Sequence, residues 1–282
     1  MSGLIQIFVD LFNNQLNDAY KSVLSGFAAL FVNIIGSYSS MTSAISSINI
    51  STAINSVAIS LTSLFFVLEA FSQMSQFRFE RIEDAIRLGI KFIVMKIIVE
   101  NTDTIIDGIY GIMSKPYNNT AINTSLNAMA DELANAINLN ITATGIAGAV
   151  VSIFAFLLGA LSVIVLVILM FIITIQIVGV VFEMVIMSTL GPIALSTLCN
   201  DLARSTGIGF IKNFAACVLQ LTTIIICFAA FSVVIPIASN ASLLGGSVAA
   251  WITALISPIL CMVCLSTAIS KSGDITRRIV GS

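Results

Sequence analysis

The sequence predicts an all-α, polytopic transmembrane protein of about five spans, and three observations predict it. The composition is 58% hydrophobic and only 9% charged, with a mean hydropathy of +1.07, whereas ordinary soluble domains carry about 25% charged residues. The apolar runs are long and unbroken rather than short and alternating. That selects helices over a closed barrel, the two backbones that satisfy their own hydrogen bonds in lipid. One of these runs, Gly145 to Leu190, continues for about 46 residues with Glu183 as its single charge, although roughly 20 apolar residues already span a bilayer. The net charge of -2 says little about partners, because in a membrane chain the positions of Lys and Arg matter more than their sum.

Residues 1–54 form the first segment. Leu4, Ile7, Phe8, Leu11 and Phe12 fall on one helical face. The apolar core from Val23 to Ile35 has about 13 residues, short for a span. The expectation is an N-terminal amphipathic helix or helical hairpin lying outside, on a membrane surface or a partner, or equally a packing helix of the same subunit. The Ser-rich stretch from Ser37 to Ser47 is expected to loosen the chain. Met1 to Phe12 has no basic n-region and includes Asp10, so no signal peptide is expected.

Residues 55–113 hold the first two expected spans. The first, Asn55 to Phe77, carries Glu69, and a carboxylate inside a span is a functional candidate by default; the alternative is that it snorkels toward Arg78 and Arg81. The charged knot RFERIEDAIRLGIK that follows is rich in Arg and Lys, which places it in the cytoplasm and the N-terminus outside. Ala85 to Met113 reads as a polar second span leaving the cytoplasm. Its basic residues Lys91 and Lys96 come first, and its acids Glu100, Asp103 and Asp107 come last. Residues 114–144, rich in Asn and Thr and opened by Pro116, read as an outside polar loop with a short helix around Leu126 to Ile137.

Residues 145–282 contain the long run, a basic cytoplasmic loop, two further spans and a basic tail. The loop LCNDLARSTGIGFIKNF and the tail KSGDITRRIVGS both favour the cytoplasm. A chain that starts outside at Thr144 and ends inside at Ser196 crosses an odd number of times, so a single over-long helix fits. At about 1.5 Å per residue it would measure roughly 70 Å. The last spans follow at Phe214 to Ile237 and Val248 to Ile269, joined outside by SNASLLGGS, giving N-terminus outside and C-terminus cytoplasmic. The alternative leaves residues 85–113 as a re-entrant or surface element and splits the long run in two, again giving five. Gly145, Gly148, Ala155, Gly159 and Ser162 are small residues that would let another helix approach, and Gly191-Pro192 is expected to end the helix sharply. Glu183 sits either near the cytoplasmic interface or, if the run is split, inside a span.

Chemistry is sparse. The chain has no His, no Gly-rich phosphate loop, no carboxylate pair at metal spacing and no nucleophile context, so no enzyme, cofactor or metal is expected. Cys261 and Cys264 form a C-x-x-C on an apolar helix and read as small buried hydrophobes. A secondary transporter would use Glu69, Lys96 and Glu100 as coupling residues, but no internal repeat is visible. A small pore-forming protein is the third reading.

The order of parts resembles the TrbL-type, or VirB-type, polytopic inner-membrane subunits of bacterial conjugation and type IV secretion machines. The resemblance runs over residues 55 to 270. Its carriers are an amphipathic outside N-terminus, about five spans, a long central helix ending in Glu183 and LGPIALSTL, and the loop TGIGFIKNF. Pro192, Arg204, Thr206, Phe210, Lys212 and Phe214 look like the family's Pro, small-residue stretch and basic-aromatic loop. The family often has a Trp in that loop, while the single Trp here is Trp251. The resemblance implies a scaffold and channel component of a bacterial cytoplasmic (inner) membrane, forming a homo-oligomeric ring, with a pentamer the implied number. It implies partners in an external stalk or pilus-base protein and cytoplasmic ATPases, with membrane lipid around the chain and nucleic acid only as a transported substrate.

Overall fold

In the computed structural model the described residues are 2–75, 82–113, 124, 127, 128, 131, 145–240 and 247–281; they form helices and short turns, with no strand among them. The helices are α1 (Ser2–Ser47), α2 (Ile50–Ser75), α3 (Ile82–Glu100), α4 (Thr102–Met113), α5 (Gly145–Ser196), α6 (Arg204–Asn240) and α7 (Ser247–Val280). Among the described residues five stretches are long and apolar enough to cross a membrane: Lys21–Ser47, Ile50–Ser75, Ala160–Cys199, Arg204–Val234 and Ile259–Val280. Arg78 and Arg81, most of the polar loop at 114–144, the side chains of the small residues from Gly145 to Gly159 and the turn at 241–246 lie outside the described residues.

The number of spans agrees with the sequence reading, but two of the segments differ. Residues 85–113 do not form one helix: Asn101 separates α3 from α4, and its Nδ2 donates to the Ile97 carbonyl at 2.8 Å. With Lys91, Lys96, Glu100, Asp103 and Asp107 along it, this stretch is not among the five. The α1 segment Lys21–Ser47 is among them instead, because the Ser-rich stretch does not loosen the chain but stays helical. Its hydroxyls turn back onto the preceding turn: Thr42 Oγ1 donates to the Tyr38 carbonyl at 3.1 Å, Ser43 to Ser39 at 2.8 Å and Ser47 to Ala44 at 2.6 Å. A serine satisfied this way presents little polarity to its surroundings. A left-handed Asn49, φ 61°, then joins α1 to α2, a conformation Asn tolerates better than most residues.

The long run is one helix of 52 residues, about 78 Å at roughly 1.5 Å per residue. Gly191-Pro192 does not end it, since α5 continues to Ser196 and closes in a 3-10 turn at Thr197–Cys199. The reason is packing. A Cβ on Gly191 would overlap Ile106 Cδ1 and stand 3.1 Å from Thr102 Cγ2, so the glycine admits α4 at close range and the helix holds through the proline. Pro192 itself is buried.

The chain divides into two compact units. The first comprises Met1–Ile34, Tyr117–Val178 and Thr222–Ser272. Within it Phe228 meets Phe27 and Phe31 edge to face, at centroid distances of 6.0 and 5.2 Å, a geometry that aromatic quadrupoles favour. On α5, Leu166, Met170, Ile173 and Ile177 are buried, while Leu157, Leu161, Ile164, Ile168, Phe171 and Ile175 form a second stripe between 55% and 67% exposed. A helix apolar on its open face as well as its packed one is matched to hydrocarbon rather than water.

The second unit comprises Ile35–Pro116, Gly179–Leu221 and Gly273–Ser282. Here α2 and α3 form an antiparallel pair: Ala58 packs near Val99, the Phe66 and Phe92 rings lie 4.5 Å apart and Glu69 reaches Lys91. The end of α5 runs antiparallel to α3, with Leu195 beside Val99 and Asp201 beside Lys91. Ala58, Val99 and Leu195 are at most 2% exposed and are flanked by Ile98, Leu198 and Phe210.

Candidate functional site

Glu69 on α2 is 3% exposed, and its carboxylate is fully engaged. Oε1 accepts from Gln73 Nε2 at 3.0 Å and lies 3.6 Å from Lys91 Nζ. Oε2 accepts the backbone N–H of Asp201 at 3.0 Å. Lys91 in turn donates to Asp201 Oδ1 at 2.7 Å. Three separate parts of the chain therefore meet at one carboxylate: α2, α3 and the turn between α5 and α6. A buried carboxylate needs both a counter-charge and hydrogen bonds, and this node supplies both. The Lys91 hydrogen bond holds the Asp201 carboxyl below the usual carboxylate range, against a smaller opposing effect of burial. Asn200 completes the turn, its Oδ1 accepting from Leu202 N at 2.8 Å.

Glu69 is the candidate that the structure builds a site around. The Arg78 and Arg81 that proximity in sequence suggests as partners lie outside the described residues; the described partners of Glu69 include Lys91, which the sequence presents as one of a run of topology-setting charges, and Asp201. Glu69 and Asp201 N are 132 residues apart in sequence, and the donor is main chain, so no residue type announces it.

The other sequence candidates separate into two sets. Lys96 and Glu100 pair with each other at 3.7 Å across one helical turn, both nearly half exposed, and are not among the groups bonded to Glu69. The coupling trio Glu69, Lys96 and Glu100 is thus not assembled. Phe214 is 1% exposed, and Phe210 packs against the Leu195 cluster. Arg204 and Lys212 are exposed, and Lys212 Nζ donates to the Gly281 carbonyl at 3.2 Å. Glu183 binds Arg277, Nη2 to Oε1 at 2.9 Å, which ties the end of α7 to α5. The tail arginine was legible only as an anchoring charge.

Among the described residues of this unit, polar cavities of about 330 Å³ open at two places. One lies beside the Glu69 node and is lined by Gln73, Asp84, Arg87, Leu88, Lys91, Asp201 and Arg204. The other holds Asp103 and Asp107 among the hydroxyls of Thr42, Ser46 and Ser188. Near it the rings of Tyr38 and Tyr110 stack at 4.3 Å. Among the described residues no group of three or more His, Cys, Asp or Glu side chains could hold a metal.

Five apolar helices, one of them with an open apolar stripe, and charges gathered in ion-paired nodes define a multi-pass α-helical membrane protein. No protein-family model, no curated protein and no solved structure matches this chain.

Proposed function

We propose that this chain is a scaffold and channel component of a bacterial type IV secretion machine, assembling as a homo-oligomer in the cytoplasmic membrane. The observation that carries the reading is the unbroken helix from Gly145 to Ser196. It brings the LGPIALSTL segment against α3 and α4, and the TGIGFIKNF segment beside it places Phe210 in the same core. These are the two stretches on which the family resemblance rests.

Charge placement supports the topology that accompanies this reading. Arg87, Lys91 and Arg204 lie around the turn between α5 and α6, and Arg277 is tied to Glu183 near the end of α5, as expected where these ends are held on the positive side of a membrane. On this reading the C-terminus and the basic turns around Lys91 and Arg204 are cytoplasmic and offered to cytoplasmic ATPases, and the polar loop at 114–144 is offered to an external stalk or pilus-base protein. A transporter using Glu69, Lys96 and Glu100 gains no support, because the last two pair with each other at a surface.

The test is deletion of the chain in the bacterium that encodes it, followed by measurement of DNA or protein transfer to recipient cells. Transfer is expected to be lost and restored by the chain supplied in trans. Unchanged transfer would refute the assignment. Uptake or efflux of a small solute that disappears in Glu69→Gln would favour the transporter instead.

A further inference from the structure

The polar cavity near the Tyr38–Tyr110 stack carries two negative charges with no counter-charge in its wall. Asp103 and Asp107 stand one turn apart on α4, and Tyr110 continues the same helical face. Neither acid makes an ion pair among the described residues, and no Lys or Arg lines the cavity. Carboxylates at this spacing repel each other. Apart from Ile45, the rest of the wall is hydroxyls supplied by α1, α2 and α5.

Three of these hydroxyls have already given up their proton. Thr42 donates to the Tyr38 carbonyl at 3.1 Å, Ser43 to the Ser39 carbonyl at 2.8 Å and Thr189 to the Val185 carbonyl at 2.8 Å. A hydroxyl has one O–H, so these oxygens have only lone pairs left for the cavity, as the two carboxylates do. Tyr38 adds an independent observation. It is 2% exposed, and its hydroxyl finds no partner in hydrogen-bonding geometry, with Ser188 and Asp107 of the cavity wall as its polar neighbours. Buried phenols are rarely left unsatisfied, and an ion or water is one of the few explanations for one that is.

A wall of oxygen acceptors with two unpaired carboxylates suits a hard cation of charge +2, and the near absence of apolar lining gives an organic ammonium little to pack against. A volume of about 330 Å³ leaves room for coordinated water. Calcium accepts six to eight oxygens in irregular geometry, whereas magnesium demands a near-ideal octahedron. Ligands drawn from several helices, only two of them charged, fit the first better. We propose that this cavity binds a calcium-class divalent cation, with Asp103 and Asp107 as its charged ligands, wall hydroxyls and water completing the shell, and Tyr38 accepting from a metal-bound water. The site does not rest on the secretion reading. A cation held there joins α4 to α1 and α5.

The experiment is calorimetric titration of the purified full chain, in neutral detergent and stripped with a chelator, with calcium chloride at constant ionic strength; magnesium chloride and sodium chloride are the competitors. Calcium is expected to bind at one site per chain with a dissociation constant of about 0.1–1 mM, the range of weak calcium modules, and magnesium roughly fivefold more weakly. Sodium should not compete. Asp103→Asn and Asp107→Asn should each weaken calcium roughly tenfold. Tyr38→Phe, which keeps the ring against Tyr110, should weaken it about threefold. Asp274→Asn, an exposed acid on α7, should leave it unchanged. No saturable calcium binding up to about 10 mM, equal competition by sodium, unchanged affinity in Asp107→Asn, or equal weakening by Asp274→Asn would each overturn the assignment. Saturation and competition are read on the wild-type chain, so the test stands even if a variant fails to fold.

Discussion

Two ion pairs of almost equal length make burial, rather than distance, the quantity to test. Lys91 Nζ and Glu69 Oε1 are 3.6 Å apart, with side chains 24% and 5% exposed; Lys96 Nζ and Glu100 Oε1 are 3.7 Å apart, with side chains 48% and 44% exposed. At an effective dielectric constant of about 20 a pair at this distance attracts by about 4–5 kcal/mol before any opposing cost. Desolvation of Glu69 cancels part of that gain, leaving a coupling of about 1–3 kcal/mol for Glu69 with Lys91. The exposed pair, discounted for solvent screening, should couple by only about 0.3–0.5 kcal/mol. The measurement is a pair of double-mutant cycles, Glu69→Gln with Lys91→Met and Glu100→Gln with Lys96→Met, read by reversible unfolding in mixed micelles. Each cycle removes the contributions the single changes make on their own. If the two coupling energies agree within about 0.5 kcal/mol, the reasoning that assigns special weight to the Glu69 node is wrong.

Further outcomes are expected elsewhere in the second unit. Gly191→Val should destabilise the chain by about 1–3 kcal/mol through overpacking against Ile106 and Thr102, which are 2% and 1% exposed; Gly209→Val, with nothing within 4 Å, should leave the thermal midpoint nearly unchanged. Because the Asp201 carboxyl is held below its ordinary value, it contributes stability that is fully present above the unfolded pKa of about 3.9 and is lost as pH falls through the lower folded value. The thermal midpoint should therefore decline more steeply in that acid range for the wild type than for Asp201→Asn, and parallel declines would count against the bond. In a chain freed of its own cysteines, a cysteine at Asn119 should label with an impermeant maleimide from outside the cell and one at Ser205 only after permeabilisation. Labelling of both from one side would defeat the odd-crossing topology.

What was legible in the sequence was whatever depends on solvent. The run from Gly145 to Leu190 could only be helical and lipid-matched, and charge placement on its flanks pointed to one helix where length alone permitted two. Glu69 stood out because a carboxylate in an apolar segment demands a partner. Its partners did not stand out. Lys91 was hidden among neighbouring charges, and Asp201 contributes a main-chain N–H, a group every residue but proline carries. The Ser-rich end of α1 misled because serine reads as a loop former until its hydroxyl bonds the preceding turn. Gly191-Pro192 misled because a stop signal weighs a few kcal/mol at most and gives way where Thr102 and Ile106 pack against the glycine. Lys96 and Glu100 shared a helix with Lys91, and only the three-dimensional arrangement assigns them to a separate pair.

Since Glu69 grips the peptide group at position 201 rather than its side chain, the two halves of that attachment are unequal in what they ask of evolution. Position 69 needs an acceptor of one particular reach, while position 201 has only to keep its amide hydrogen. Substituting Asp201 with Ala should leave Lys91 to Glu69 alone yet keep the turn tethered, whereas Asp201→Pro should release the tether itself, so that an imino acid there becomes the one substitution the joint cannot absorb.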